Sequence, residues 1–103
     1  MSPTERTLKE LRKRGYLAAV VERWNPFAHI RQDLFGLVDV IGLRENETLA
    51  VQTTSGSNVS DRVKKIADSD KSGMIRKAGW KLVVWGWRKG ANGRYVLREI
   101  DCS

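Results

Sequence analysis

Hydrophobic positions along the chain switch between a helical and a strand period, and the switch points mark the elements. Ser2-Pro3-Thr4-Glu5 has the form of a capping box with proline at the first helical position. Leu8 and Leu11 then mark one face and Gly15 a stop, which predicts a helix over roughly 3–14. Tyr16 to Trp24 is rich in small and β-branched residues and predicts a strand, broken by Asn25-Pro26. Residues 26–33 read as a connection ending in Arg31-Gln32-Asp33, with a second strand near 34–43. Glu45-Asn46-Glu47 is a polar turn, and Thr48 to Thr54 a third strand hairpinned to the second. Ser55-Gly56-Ser57-Asn58 is a loop of helix-capping residue types. Val59, Val63 and Ile66 recur at helical spacing and predict a helix near 59–69. Met74, Ile75 and Ala78 continue it or make a short second helix, ended by Gly79. Trp80 to Trp87 is a fourth strand, Gly90–Gly93 a turn, and Tyr95 to Ile100 a fifth strand. The order α-β-β-β-α-β-β predicts an α/β three-layer sandwich, with a mixed central sheet flanked by helices and a single domain over 1–103.

One residue breaks the pattern. Asp39 sits inside the apolar run Leu37-Val38-Asp39-Val40-Ile41, which reads as a strand buried on both faces. An ionised carboxylate there costs several kcal/mol unless a cation, a metal or hydrogen-bond donors meet it. Backbone amides or an arginine would satisfy it without any function. The functional alternative is that it faces a cation and a sugar-phosphate chain.

Composition narrows the chemistry. The 103 residues suffice for one core, and 41% hydrophobic content is ordinary for a globular domain. No segment approaches the ~20 apolar residues of a membrane span. No secretory signal precedes the first helix, so the cytoplasm is the expected compartment, or the host cytoplasm for a viral protein. The single cysteine, Cys102, excludes an internal disulfide and a cysteine-based metal cluster, and the single histidine, His29, excludes a multi-histidine site. Chemistry would have to use carboxylates, amides, hydroxyls and cations. A net charge of +7, spread along the chain, favours a polyanionic partner held on a folded surface.

Alternation along the strands places Gln52 and Thr54 on one face, and an in-register hairpin through the Glu45–Glu47 turn brings Asp39 within reach of Gln52. Gly36 permits a bend before Asp39. The loop of Ser55, Ser57 and Asn58 leads into a helix carrying Arg62, Lys64 and Lys65, and such loops and helix starts suit phosphate contacts. Arg31 adds a cation before the second strand.

At these residues the chain resembles the PD-(D/E)XK nuclease superfamily, most closely the archaeal-type Holliday junction resolvases. Glu5 opens the first helix, Gly15-Tyr16 leads into the first strand, Gly36-Leu37-Val38-Asp39 matches a Gly-x-x-Asp strand, and Gln52-Thr53-Thr54 falls where Glu-x-Lys is expected. The resemblance implies a restriction-endonuclease-like fold and hydrolysis of DNA phosphodiesters. It implies Mg²⁺ or Mn²⁺ held by Glu5, Asp39 and Gln52, with Thr54 at the lysine position. It also implies a homodimer acting on branched or otherwise structured DNA. Gln52 offers a hard cation only a neutral carbonyl oxygen, and Thr54 has no charge with which to replace an ammonium group. Lys64 or Lys65 could supply that charge from the following helix.

Other polar residues have competing readings. Glu5 completes the capping box. Glu22 reads as a strand carboxylate paired with Arg23 or a neighbouring cation, and could supply an acid instead. Asp33 extends the acidic cluster, forms an ion pair or caps a turn. His29 is a surface or partly packed imidazole, or contacts a phosphate or leaving group. Trp85 and Trp87 share a face and pack a helix onto the sheet, join a dimer interface or stack on bases. Arg88, Lys89 and Arg94 form a solvated basic rim. Two rivals stand beside the nuclease: an inert DNA- or RNA-binding module of the same fold, and an interaction subunit of a larger complex.

Overall fold

Helix α1 (Pro3–Lys13) begins where Ser2 and Glu5 exchange hydrogen bonds in a full capping box, and its last turn carries Arg12 and Lys13. Gly15, at φ +91°, turns the chain back so that the Tyr16 amide bonds the Leu11 carbonyl at 3.0 Å. The computed structural model describes Met1–Ser103 without interruption. After α1 come strands β1 (Leu17–Val20), β2 (Arg23–Asn25), β3 (Ile30–Gln32), β4 (Val40–Arg44) and β5 (Glu47–Ser55). A 3₁₀ turn (Gly56–Asn58) leads into helices α2 (Val59–Asp68) and α3 (Ser72–Lys77), and strands β6 (Lys81–Lys89) and β7 (Tyr95–Asp101) finish the chain.

The central sheet has five strands in the order β1-β4-β5-β6-β7. Only β5 and β6 run parallel, because α2 and α3 carry the chain across between them. Leu11 of α1 packs on Ala18, Val40, Val51 and Trp85 on one face. On the other, Val59, Ile66 and Ile75 of α2 and α3 pack on Ala50, Leu82 and Val84. This is the expected three-layer α/β sandwich with a mixed sheet. Trp85 and Trp87 hold α1 to it: Trp85 is buried in that core, and Trp87 Nε1 donates to Thr7 Oγ1 at 3.0 Å. Gly86 lies between them because α2 begins against it; a Cβ there would collide with Val59 Cγ2.

Three boundaries differ from expectation. The first strand leaves the sheet after Val20, not at Trp24. The presumed connection 26–33 contains β3, which pairs with β2 in a separate two-stranded ribbon. The second sheet strand starts at Val40, because Leu34 and Val38 bridge across a tight turn in which Phe35 and Gly36 take φ +57° and +72°. No helix is long and apolar enough to cross a membrane.

Candidate metal centre

The turn before β4 sets the geometry. Closing Leu34 on Val38 leaves Asp33 and Asp39 flanking the turn, side by side. Asp39 is itself pinned from both sides: its amide bonds the Val51 carbonyl at 2.9 Å and its carbonyl receives the Val21 amide at 2.8 Å. Glu22 follows Val21, and because Arg23 pairs with Gln32, Glu22 stands across the ribbon's base from Asp33. One carboxylate oxygen from each of Glu22, Asp33 and Asp39 falls within 4.8 Å of the others.

Asp39 is 4% exposed. Its Oδ2 accepts from the Thr53 amide at 2.9 Å and from Gln52 Nε2 at 2.7 Å, the partner expected from the hairpin register. One main-chain amide thus meets it, and carboxylates and a carboxamide supply the rest of its polar surroundings. Gln52 Nε2 also approaches Asp33 Oδ2 at 3.5 Å. Gln52 is 1% exposed, and its Oε1 has no hydrogen-bond partner. A buried carbonyl oxygen without a donor is costly.

Asp33, not Asp39, opens to solvent. It lines a cleft of 610 Å³ together with Arg23, Arg31, Gly36 and Lys65. Lys65 Nζ stands 3.4 Å from Asp33 Oδ2, and an Arg31 nitrogen 3.3 Å from Glu22 Oε1. The cleft therefore combines three cations with one edge of the acidic cluster, a combination able to hold an anion such as a phosphate beside a metal.

Burial, then the hydrogen bond and charge of Asp33, push Asp39 up to about 8, against the downward pull of the Thr53 amide. Burial would also raise Asp33. It is outweighed by the bond from Asp39, by Lys65 and by the Gln52 amide, which hold Asp33 below the usual carboxylate range. Near neutrality the pair shares one proton, carried by Asp39. Because its folded pKa lies above the unfolded value, the associated stability is complete at low pH and is lost as pH rises through about 8. The free energy of urea unfolding in EDTA is expected to fall between about pH 4 and 8, with a slope of up to about 1.4 kcal/mol per pH unit. Asp39→Asn, which cannot ionise, should flatten the profile.

Several expected site residues lie elsewhere. Glu5 is tied to Ser2, its Oε1 3.1 Å from Ser2 Oγ, on the helix that covers the opposite sheet face, and does not join the carboxylates. The capping box claims it. Thr54 is buried on β5 and makes no hydrogen bond to the acidic cluster. Ser55, Ser57 and Asn58 bond one another at the start of α2, and Arg62 does not line the cleft. Lys64 turns outward to Asp68 at 2.7 Å. Only Arg31 and Lys65 of the expected phosphate-binding residues reach the cleft, and Arg23 was missed. Its signal was weak: an arginine in a run read as sheet. Glu22 and Asp33 carried their signal as carboxylates flanking a short ribbon, an arrangement that no turn motif announced. Comparison with protein-family models, curated proteins and solved structures returns no match.

Proposed function

We propose that this chain is a divalent-metal-dependent DNA endonuclease of the PD-(D/E)XK kind, resembling the Holliday junction resolvases, whose acids come from the β2–β3 ribbon and the turn before β4. The observation that carries this is that Glu22, Asp33 and Asp39 bring one carboxylate oxygen each within 4.8 Å of the others, at a cleft that Asp33 shares with Arg23, Arg31 and Lys65. The donors are all oxygen, as Mg²⁺ or Mn²⁺ prefers. Glu22, Asp33 and Asp39 would hold the ion; the Gln52 amide, which turns Nε2 to Asp39, would offer its carbonyl oxygen only after rotating about its last torsion. When bound, it supplies positive charge for the attacked phosphate and lowers the pKa of an incoming water.

The chain's own residues do the rest. Arg23 and Arg31 grip the phosphate backbone along the cleft, and Lys65, brought to Asp33 by α2, takes the electrostatic role of the motif lysine that Thr54 cannot fill. Asp39, protonated near neutrality, would have to ionise to serve as a ligand, so metal affinity should rise with pH up to about 8. The order α1-β1-β4-β5-α2-β6, into which the β2–β3 ribbon and α3 are inserted, and the Asp39–Gln52 pair support the family reading, from which Glu22, Asp33 and Thr54 depart. Two copies acting in the cytoplasm on the symmetric strands of branched DNA complete the proposal.

A second reading, an inert DNA-binding module, is favoured by the uncharged Gln52 and Thr54. Plasmid and four-way-junction DNA incubated with Mg²⁺ or Mn²⁺ separates the two. Metal-dependent cleavage supports the nuclease. Binding that weakens steeply with salt, without cleavage, supports the module. Neither result leaves Arg31 and Lys65 as mere structural ion pairs and the chain as a partner subunit.

A further inference from the structure

The β2–β3 ribbon leaves much of its apolar surface open. Phe27 at its tip is 95% exposed and Trp24 is 55% exposed, with Ile30 also open to solvent. By contrast Trp85 is 1% exposed at the centre of a core, and the other exposed aromatics, Phe35 and Tyr95, are each more than half covered. The exposed ones are held rather than loose. Asn25 Oδ1 accepts the Phe27 and Ala28 amides at 3.0 and 3.2 Å, His29 turns at φ +53°, and its ring meets Trp24 edge-on with centroids 6.3 Å apart. A partner therefore meets a Trp24 ring already held by His29 and a Phe27 whose backbone is already fixed.

Cations interleave with them. Trp24 pairs across the ribbon with Arg31, so the indole and a cleft-lining guanidinium share one face. Arg23, next to Trp24, lines the same cleft. A second copy docked ribbon to ribbon would set Arg23 and Arg31 against their own counterparts, so this surface is a poor one for self-association. A polyanion with flat apolar groups fits both features.

We infer that the ribbon is a base-stacking element: Phe27 and Trp24 take up unpaired bases of DNA whose backbone lies along Arg23, Arg31 and Lys65. The inference rests on the cleft being a DNA site and names its substrate as DNA with unpaired bases beside the held phosphate. The test uses a forked duplex with 2-aminopurine at the first unpaired position, and a fully paired duplex of equal length. The wild-type chain should quench the probe and prefer the fork. Trp24→Ala combined with Phe27→Ala should cost about thirtyfold or more in fork affinity, the scale of two aromatic–base stacks, and leave duplex affinity unchanged. Phe27→Tyr should keep the preference. Equal affinity of wild type and double variant for the fork overturns the inference while leaving the cleft intact. Sedimentation of the wild type as a dimer and of the double variant as a monomer overturns it in favour of self-association. Binding of neither DNA by the wild type removes the cleft reading itself.

Discussion

Asp39→Asn is expected to abolish divalent-dependent cleavage, by at least about 10³-fold, while the protein stays folded. The asparagine oxygen still accepts from Thr53 and Gln52, whose donors meet Asp39 Oδ2 in the native protein. Alanine would orphan both donors at about 1–3 kcal/mol, so asparagine separates loss of metal from loss of fold. Removing the anionic ligand should also remove metal-induced stabilisation. At a Mg²⁺ concentration of a hundred times Kd the native chain gains about 2.7 kcal/mol, and the variant should gain almost none. Calorimetry in two buffers of different ionisation enthalpy reads the same event as proton release, present in the wild type near neutral pH and absent in the variant. Undiminished cleavage by pure Asp39→Asn would sink the assigned centre.

Lys65→Met should lower cleavage by about 10²-fold, the scale of one preorganised charge lost beside a reacting phosphate, with metal affinity nearly unchanged. DNA binding should weaken modestly, and the slope of log K against log salt should fall by about one. The neighbouring Lys64→Met is the control. Its ammonium pairs with Asp68 on the outer side of α2, whereas Lys65 meets Asp33 at the cleft. Equal losses in the two variants would mean that general basicity, not position, matters. Asp33, deprived of one of the groups that hold it low, should titrate higher in Lys65→Met, which NMR of its carboxyl carbon would register.

Local rules made much of the molecule legible. The Ser2–Glu5 capping box started α1 at Pro3, and the period-two pattern of β4 and β5 with a short turn at Glu45 and Asn46 placed Asp39 opposite Gln52. Both depend on contacts near in sequence, or on pairing that one turn dictates. The stretch Tyr16–Trp24 misled because apolar composition alone does not say which strand a residue joins. Val21 still bonds Asp39, but the chain then peels away and exposes Trp24 on a ribbon of its own.

The sequence by itself determined the layered α/β architecture, the buried acid and its carboxamide partner, since alternation, helix capping and turn chemistry act within short spans of chain. Only the tertiary structure decided which other charges stand beside that acid. Glu22 and Asp33 meet because two three-residue strands pair around a turn with no strong motif, and Lys65 rather than Lys64 reaches them because the packing of Val59 and Ile66 fixes the rotation of α2. Convergence of groups distant along the chain follows from how whole elements pack, and no local propensity encodes it.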